Sequence, residues 1–514
     1  MSRNRRPNIL FIMADDHASQ AMGCYGSRIN QTPKLDRIAS EGVRLDHCYV
    51  SNSICTPSRA AILTGTHNHV NGVTTLATHI DNRLPNVAKH LRTGGYQTAI
   101  VGKWHLGEGP AHQPTGFDYW SVLPGQGLYH DPVLIEMGEK IVEPGYVTDI
   151  ITDKSLRWLE QRDQDRPFFL MCHHKAPHRA WDPKPEHRAL FQEPIPKPET
   201  FNDDYANRAT AAREARMRIV RDMTYNDLDL VEIPESAGVR EEGNPSKTVP
   251  HPTDVEGFSL RCRVTGELFT FRDQDALADF KYQRYLRKYL QCVHSIDENV
   301  GRMLDWLDAN GLAENTLVIY TSDQGFYLGE HGWFDKRFIY EESFKMPFIA
   351  RYPKRIQGGK TSTAMASNVD FAQTFLDAAG LPAPNYMQGR SLMPVLEGDP
   401  PDDWPAVAYH RYWMHRDTAH NAFAHYGIRT HDYKLIYWYN DDLGHKGARP
   451  GTDKPEWELF DLKKDPRELR NVYHDPDYAA VVRDMTAKLD AEMTRIGDVP
   501  EHPPSALARD SANS

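Results

Sequence analysis

Four short apolar runs in this sequence each end in polar residues, and none of the runs alternates between apolar and polar positions. The runs and the residues that follow them are 8–14 before Asp15-Asp16-His17, 96–101 before Gly-Lys-Trp-His at 102–105, 168–171 before the segment 173–178, and 317–320 before Ser-Asp-Gln-Gly at 322–325. Unalternating runs of this length are typical of strands that are buried on both faces of a parallel sheet. The pattern therefore predicts an α/β domain that is built on such a sheet.

Helical segments separate these runs. Thr32 before Pro33, with Gly42 further on, predicts a helix with a threonine cap and a glycine stop. Apolar residues recur every three or four positions over 282–307 and predict a long amphipathic helix that ends near Gly311. Ligands of layered α/β sheets bind at the carboxyl ends of the strands. We therefore expect the four polar clusters to share one site.

The segment 55–65 reads Cys-Thr-Pro-Ser-Arg-Ala-Ala-Ile-Leu-Thr-Gly. It predicts a helix that begins with Pro57 at its first position and ends at Gly65 in the left-handed conformation. Cys55 would then lie beside the helix N-terminus, where unpaired N–H groups and the helix dipole attract an anion. The alternative interpretation is a partly buried thiol near a helix cap.

The spacing of the cysteines indicates that Cys55 has no structural partner among them. The chain has six cysteines, at positions 24, 48, 55, 172, 262 and 292. Their spacing shows no pairs and is typical neither of a disulfide framework nor of a zinc site. Cys55 is therefore free to react.

Cys-X-Pro-X-Arg at a helix start is the motif of the type I sulfatases, and the chain resembles that family from residue 7 to about residue 475. The resemblance implies the alkaline phosphatase-like fold: a large mixed sheet flanked by helices, with a smaller C-terminal α+β domain that contains an antiparallel sheet. It also implies that Cys55 is oxidised by a formylglycine-generating or equivalent maturation enzyme to Cα-formylglycine, an aldehyde whose hydrate is the nucleophile.

The resemblance assigns a divalent metal to residue 55 and to Asp15, Asp16, Asp323 and Gln324. Relatives more often carry Asn or His at the position of Gln324, so this residue departs from the pattern. Three carboxylates, an amide oxygen and a hydrate oxygen form an all-oxygen shell, which suits a hard cation. We expect Ca²⁺ first and Mg²⁺ second, because the larger ion tolerates irregular shells.

The resemblance also implies roles in catalysis for Arg59, Lys103, His105, His178 and Lys336. Arg59 holds the hydrate, and Lys103 and Lys336 help to clamp the sulfate oxygens. His178 and Lys336 stabilise or protonate the departing sugar oxygen. His105 then removes a proton from the second hydroxyl, which expels sulfate. A geminal diol avoids the stable sulfate ester that a serine nucleophile would leave, and an unmodified thiol is only a modest nucleophile at neutral pH.

We expect three parts in the chain. Residues 1–395 form the catalytic domain, in which the proline-rich stretch 183–260 is an insertion that either overhangs the site or is merely solvated. Residues 402–496 form the small α+β domain, with strand-like runs and a helix that begins at Asp475-Pro476. Residues 497–514 form a loosely ordered tail.

The substrate is expected to be a sulfated mono- or oligosaccharide. Aromatic rings stack on sugars, and Arg or His side chains hold carboxylates or further sulfates. The candidate substrate residues are His67, His69, Arg179, Trp181, His410, Arg411 and Trp413. Two alternatives stay open: a phosphonate or phosphate ester hydrolase of the same superfamily, and an unmodified, non-catalytic binder of sulfated glycans.

The net charge of −11 excludes nucleic acids and anionic membranes as partners that bind through bulk electrostatics. No apolar run is long enough to span a bilayer, and no signal-peptide core follows the basic N-terminal residues. The sequence therefore predicts a cytoplasmic protein, or a periplasmic one if an export signal has been removed.

Overall fold

The structure is a computed structural model that describes residues 6–233 and 255–503. The first five residues, the middle of the predicted insertion (234–254) and the end of the predicted tail (504–514) lie outside the described residues. Among the described helices, none is both long and apolar enough to cross a membrane.

One mixed sheet of ten strands forms the centre of the fold. In spatial order its strands are Lys360–Ser367, Val43–Tyr49, Phe348–Arg351, Thr316–Ser322, Asn8–Ala14, Phe168–His173, Gln97–Lys103, Tyr119–Leu123, Val133–Glu136 and Glu139–Val142. The five strands from Thr316–Ser322 to Tyr119–Leu123 in this order are parallel, and antiparallel pairs occur on both sides of them. The large mixed sheet is thus confirmed, with the predicted parallel strands at its centre.

Helices cover both faces of this sheet. The described helices are Pro33–Ser40, Cys55–Thr64, Asn68–Asn71, Val87–Thr93, Val147–Gln161, Thr210–Glu214, Gln274–Ala309, Glu341–Phe344, Phe371–Ala378, Met393–Glu397 and Ala479–Ile496. Along the strand Asn8–Ala14, Phe11 packs into one hydrophobic cluster and Ile12 into another. Apolar residues that alternate between two cores explain why the run has no polar positions.

The long helix starts earlier than its apolar pattern predicted. It spans Gln274–Ala309, and the side chain of Asp273 accepts a hydrogen bond from the Ala276 N–H and caps it. The predicted end is confirmed, because the helix stops just before Gly311, whose φ is +64°. Its first two turns were missed because Leu277 and Phe280 lie five and two positions before Tyr282, outside the spacing of three or four on which the prediction rested.

The helix Pro33–Ser40 begins with Pro33 and ends just before Gly42 as predicted, but the roles of Thr32 and Gly42 differ from the expected caps. The Thr32 side chain does not cap the helix; it accepts a hydrogen bond from the Gly23 N–H at 2.9 Å and donates one to Asp36. Gly42 is not a left-handed stop: a Cβ at this position would lie 1.9 Å from the carbonyl oxygen of Ala350 in the neighbouring strand. Gly42 is therefore required for close backbone packing.

A second, antiparallel sheet of four strands lies in the C-terminal part. Its strands are Ala408–Tyr412, His425–Arg429, Tyr433–Trp438 and Glu456–Asp461. The helix Ala479–Ile496 packs on this sheet through Met485, Leu489 and Met493. Asp475 caps the short 3-10 turn that precedes the helix. The small α+β unit with an antiparallel sheet is thus confirmed, whereas the boundaries between domains stay predictions.

The described part of the predicted insertion is not wholly irregular. It contains the 3-10 helices Pro185–Ala189 and Tyr225–Leu228. Its strand Leu230–Ile233 belongs to a three-stranded antiparallel sheet that continues past residue 260, with Ser259–Cys262 and Leu268–Thr270 as the other strands. The backbone of Met217 and Ile219 pairs with that of the segment 332–334. The insertion therefore packs on the segment that leads into Lys336.

Candidate active site

The carboxyl ends of the parallel strands bring the predicted site residues together. Asp15 directly follows the strand Asn8–Ala14, and Asp323 directly follows Thr316–Ser322, which pairs with it in register. Lys103 is the last residue of the next strand but one, Gln97–Lys103. Neighbouring parallel strands that end at one level place their following residues within reach of each other.

Three of these carboxylates form a compact, fully buried group. Asp15, Asp16 and Asp323 have no exposed surface, and one oxygen of each lies within 4.8 Å of the others. Two nearby oxygens, Oδ2 of Asp16 and Oε1 of Gln324, are buried and have no hydrogen-bond partner. A buried acceptor without a donor is costly, and a bound cation would satisfy it. The donor set therefore fits a hard divalent metal.

Gln324 is close enough to complete this group. Its Nε2 donates to Oδ1 of Asp323 at 2.7 Å and also to Oδ1 of Asp16. The two ends of a side-chain amide exchange places by a half-turn, so the unpartnered Oε1 can be presented to the carboxylates instead. The additional methylene of Gln relative to Asn does not prevent contact with them.

The carboxylates have different proton affinities because their neighbours differ. Burial alone would raise the pKa of Asp15, but the nearby Lys103, His178, Arg59 and Lys336 outweigh it and hold that pKa well below its ordinary value. Burial raises the pKa of Asp16 to about 7 against the opposing effect of Lys336. A cation between these groups would favour their ionised forms.

The helix spans Cys55–Thr64, so Cys55 is its first residue and Pro57 its third. The prediction that the helix begins at Pro57, with Cys55 beside its N-terminus, was therefore two residues late. The predicted left-handed Gly65 at the other end is present, with φ +67°. The Cys55 thiol donates to Oδ1 of Asp15 at 3.4 Å, and Lys336 Nζ donates to its sulfur at 3.3 Å. Burial raises the pKa of the thiol, so residue 55 is uncharged as cysteine.

Arg59 lies one turn further along the same helix and faces the acidic group. Its Nε donates to Oδ2 of Asp323 at 3.0 Å, and its Nη1 donates to the carbonyl oxygen of Lys103 at 2.8 Å. Its Nη2 lies 3.8 Å from Oδ1 of Asp15. The guanidinium thus ties the helix to two strand ends and carries a fixed positive charge into the site.

Lys103 and His105 approach from the strand Gln97–Lys103. Lys103 Nζ donates to Oδ2 of Asp15 and, at 2.5 Å, to Oε1 of Gln126. His105 has a left-handed backbone with φ +54°, and its Nδ1 lies 3.4 Å from Oγ1 of Thr56, the residue after Cys55. Burial and the charge of Lys103 lower the pKa of His105 well below its ordinary value, so its imidazole is neutral and able to accept a proton.

His178 and Lys336 lie beside Asp16. His178 Nε2 is 3.8 Å from Oδ2 of Asp16, and Lys336 Nζ donates to Oδ1 of the same carboxylate. The structure therefore joins the predicted metal and catalytic residues in one connected cluster, with His105 attached to it through Thr56. Their roles in catalysis stay predictions.

Sequence reasoning missed a charged network on both sides of Lys336. Asp335 and Arg337 have left-handed backbones, with φ of +73° and +111°. Oδ2 of Asp335 accepts from Arg179 Nη1 at 3.0 Å and lies 3.1 Å from Nε2 of His420. Such strained backbones often mark functional positions. The signal was the sequence Asp-Lys-Arg at 335–337, in which only the central residue was singled out.

Among the candidate substrate residues, only Arg179 joins this network. The structure does not support substrate contact by Trp181, which is fully buried against Tyr285, or by Arg411, which is 3% exposed and pairs with Asp498 and Glu501. Large aromatic side chains are usually buried in the core, and an arginine that is fully buried is usually paired with acidic residues. Trp181 and Arg411 follow these two rules.

The other candidates also have partners in the protein. His410 has no exposed surface, and its Nε2 contacts the backbone and hydroxyl of Ser53; the ring of the nearly buried Trp413 lies under the Arg411 guanidinium. His67 and His69 stack on each other, and His69 Nε2 lies 3.0 Å from the carbonyl oxygen of Ile496. These contacts join the catalytic part to the C-terminal unit.

A cavity of about 770 Å³ lies next to the cluster of site residues, on the side where His105 is located. Thr56 and His105 belong to its wall, together with the rings of Trp104, His112 and Trp120. Its volume is that of a site for a small organic ligand.

Comparison with known proteins is consistent with this geometry. Residues 7–381 match the family model described as Sulfatase, and residues 329–495 match the model of the C-terminal part of N-sulphoglucosamine sulphohydrolase. An N-acetylglucosamine-6-O-sulfatase of Bacteroides thetaiotaomicron is 46% identical over 506 residues, which cover 96% of this chain and 87% of that protein.

Two solved structures bear on the choice between a carbohydrate sulfatase and a phosphonate ester hydrolase. A protein in complex with its substrate D-glucosamine-2-N,6-O-disulfate is 44% identical and superimposes with a TM-score of 0.85, over 98% of this chain and all of that chain. A phosphonate monoester hydrolase of Agrobacterium radiobacter is 22% identical with a TM-score of 0.64, over 96% of each chain. At that identity the second match indicates a shared fold alone.

Proposed function

Because this chain belongs to the sulfatase family, within the alkaline phosphatase-like superfamily, and is a sulfuric ester hydrolase of sulfated carbohydrates, we propose that it removes 6-O-sulfate from glucosamine or N-acetylglucosamine units. The relative that is 46% identical is named an N-acetylglucosamine-6-O-sulfatase, and the protein that is 44% identical is described in complex with its substrate D-glucosamine-2-N,6-O-disulfate. Both descriptions support this choice of sugar and sulfate position.

The observation that carries the proposal is the placement of residue 55. Its side chain lies between the carboxylate of Asp15 at 3.4 Å and the ammonium of Lys336 at 3.3 Å, at the N-terminus of a fully buried helix. An anion that entered this position would meet helix N–H groups and fixed cations. A structural cysteine needs none of these neighbours.

In the proposed active form, residue 55 is Cα-formylglycine, and the hydrate of this aldehyde supplies the hydroxyl that attacks sulfur. A maturation enzyme that oxidises Cys55 is therefore a required partner. Asp15, Asp16, Asp323 and Gln324 would hold Ca²⁺, or Mg²⁺ as second choice, and a divalent ion bound there would supply Lewis-acid polarisation of neighbouring oxygens. The two unpartnered oxygens in this group support the assignment.

The chain's own cations bind and orient the sulfate. Arg59, Lys103 and Lys336 are buried, and each already contacts one of the carboxylates. Charges that are fixed before the substrate arrives need no reorganisation in the transition state, and such electrostatic stabilisation is usually the largest catalytic effect.

Two histidines move protons in this proposal. His178, whose Nε2 lies next to Asp16, stabilises or protonates the departing sugar oxygen together with Lys336. His105 is neutral and takes a proton from the second hydroxyl of residue 55. Its contact with Oγ1 of Thr56 holds the ring close to that residue. Acid–base groups in such positions contribute about 10²–10⁴-fold.

A screen of sulfated monosaccharides tests the proposed substrate. We expect N-acetylglucosamine-6-sulfate and glucosamine-2-N,6-O-disulfate to release their 6-O-sulfate much faster than the 3-O-sulfated isomer or galactose-6-sulfate, as measured by chromatography of the products. Faster desulfation of one of the comparison sugars would contradict the sugar assignment and leave the sulfatase assignment intact. Hydrolysis of an aryl phosphonate in preference to all the sulfates would contradict both.

A further inference from the structure

A cluster of two histidines and a glutamate lies outside the active site and shares no residue with it. His187 belongs to the 3-10 helix Pro185–Ala189, whereas His294 and Glu298 are four residues apart on the long helix Gln274–Ala309. His187 Nε2 is 3.0 Å from Oε2 of Glu298, and His294 Nε2 is 3.5 Å from Oε1 of the same carboxylate. One possible ligand atom from each residue lies within 4.8 Å of the others.

The buried member of this cluster is held in place by other contacts. His187 is 4% exposed, and its Nδ1 lies 2.9 Å from the hydroxyl of Ser295, so its Nε2 is the nitrogen that faces Glu298. Histidines that bind metals typically engage their second ring nitrogen in this way, which fixes the ring orientation. Gln291 donates to the carbonyl oxygens of Arg188 and Leu190, both at 3.1 Å, and holds the 3-10 segment on the helix.

We propose that His187, His294 and Glu298 bind one Zn²⁺ ion. Two imidazole nitrogens and a carboxylate oxygen form a ligand set that zinc uses, with a fourth position left for water. The two nitrogens contact different oxygens of the Glu298 carboxylate, His187 Nε2 at 3.0 Å from Oε2 and His294 Nε2 at 3.5 Å from Oε1, and each separation is near the roughly 3.3 Å between two ligands of a tetrahedral zinc ion. The nitrogen donors disfavour Ca²⁺ and Mg²⁺, which prefer oxygen ligands.

The zinc ion joins two elements that also support the active site. His187 is nine residues after His178 in the chain, on the segment that follows this candidate acid. The long helix contacts the acidic group directly, since the Tyr289 hydroxyl donates to the carbonyl oxygen of Asp16 at 2.7 Å. The ion therefore clips the segment after His178 to the helix that supports Asp16, and it stabilises the folded chain without taking part in the chemistry.

Calorimetric titration with Zn²⁺ tests this site, after chelation and then saturation with Ca²⁺ to fill the acidic group. We expect one Zn²⁺ per chain for the unaltered protein, and a tenfold or greater loss of affinity in each of H187A, H294A and E298Q. His294 and Glu298 are 34% and 44% exposed as side chains, so their substitution leaves the fold intact even if H187A does not fold. Substitution with Co²⁺ should give the visible absorption of a tetrahedral site with nitrogen ligands.

Two controls separate this site from other sources of zinc binding. H79A alters another pair of neighbouring histidines, His79 and His112, and should bind Zn²⁺ like the unaltered protein. D323N alters the acidic group and should also retain the zinc ion. The proposal is overturned if no Zn²⁺ binds, if H294A and E298Q bind it as tightly as the unaltered protein, or if D323N abolishes binding.

Discussion

Lys336 Nζ donates to the sulfur of Cys55 at 3.3 Å and also to Oδ1 of Asp16, although the two contacted residues are 39 positions apart in the chain. The lysine is buried, and its pKa is raised because the nearby carboxylates, Asp16 first and then Asp335, outweigh the effect of burial. It therefore keeps its proton, and its charge lies between residue 55, the proposed nucleophile, and Asp16, a proposed metal ligand.

Substitution of Cys55 by Ala should abolish sulfate release, because no other side chain in the cluster can form an aldehyde hydrate. The measurement is turnover of N-acetylglucosamine-6-sulfate, together with mass spectrometry of the peptide that contains residue 55. Cys24→Ala, at a partly exposed thiol, is the matched control and should keep full activity. An active C55A variant, or an active protein whose residue 55 is entirely thiol, would contradict the proposed nucleophile.

Removal of the metal should abolish activity without unfolding the protein, and Ca²⁺ should restore it better than Mg²⁺. Gln324→Leu keeps the side-chain volume but removes the amide oxygen, so we expect it to need roughly tenfold or more Ca²⁺ for half-maximal activity. Gln324→Asn keeps an amide and should need less added Ca²⁺ than the leucine variant. Equal calcium requirements for the two variants would show that the amide is not a ligand.

His178→Ala should slow the reaction in a manner that depends on the leaving group. A sugar alkoxide needs a proton as it departs, so turnover of the sugar sulfate should fall by about 10²–10⁴-fold. A nitrophenolate departs without one, so turnover of 4-nitrophenyl sulfate should fall much less. An equal loss on both substrates would indicate that His178 only binds the sulfate or supports the fold.

Protonation of Asp203 should make the protein less stable in acid, because its ionised carboxylate stabilises the folded state. Burial alone would raise its pKa, but hydrogen bonds from His331 Nδ1, at 2.8 Å, and from Arg208 lower it to about 2. A lowered pKa means that this stabilisation is complete above the unfolded value of about 4 and is lost as the pH falls toward 2. Asp203→Asn should cost about 2–3 kcal/mol at neutral pH, because it removes one partner of a buried ion pair, and less in acid.

Urea unfolding midpoints of this variant at neutral and acidic pH provide the measurement. Asp204→Asn, at the exposed neighbouring carboxylate, is the control and should leave both midpoints almost unchanged. A deficit in D203N that stays constant or grows as the pH falls would contradict the assignment.

Gly42→Ala should destabilise the large sheet by about 3 kcal/mol or more, because its Cβ would lie 1.9 Å from the Ala350 carbonyl oxygen within a paired strand. Gly26→Ala is the control: its Cβ meets no atom within 4 Å, and only the left-handed φ of +78° opposes it, at a cost of about 1 kcal/mol. Thermal unfolding of both variants distinguishes steric overlap from backbone strain. Equal losses would indicate that the strand moves to accommodate the methyl group.

The sequence determined the central elements of this protein and the location of its candidate active site. Apolar runs define buried strands, and glycines such as Gly65 end helices, because these effects act over a few residues. Parallel strands then bring their carboxyl ends together, so Asp15, Lys103 and Asp323 could be assigned to one place from chain order alone.

The tertiary structure decided which distant side chains meet. It directs Arg59 to Asp323, buries Trp181 against Tyr285, and brings His187 to a glutamate more than a hundred positions away. It also makes Gly42 a packing requirement rather than a helix stop. None of these contacts has a local sequence signal, because each is selected by the shape and charge that remain once remote segments have packed together.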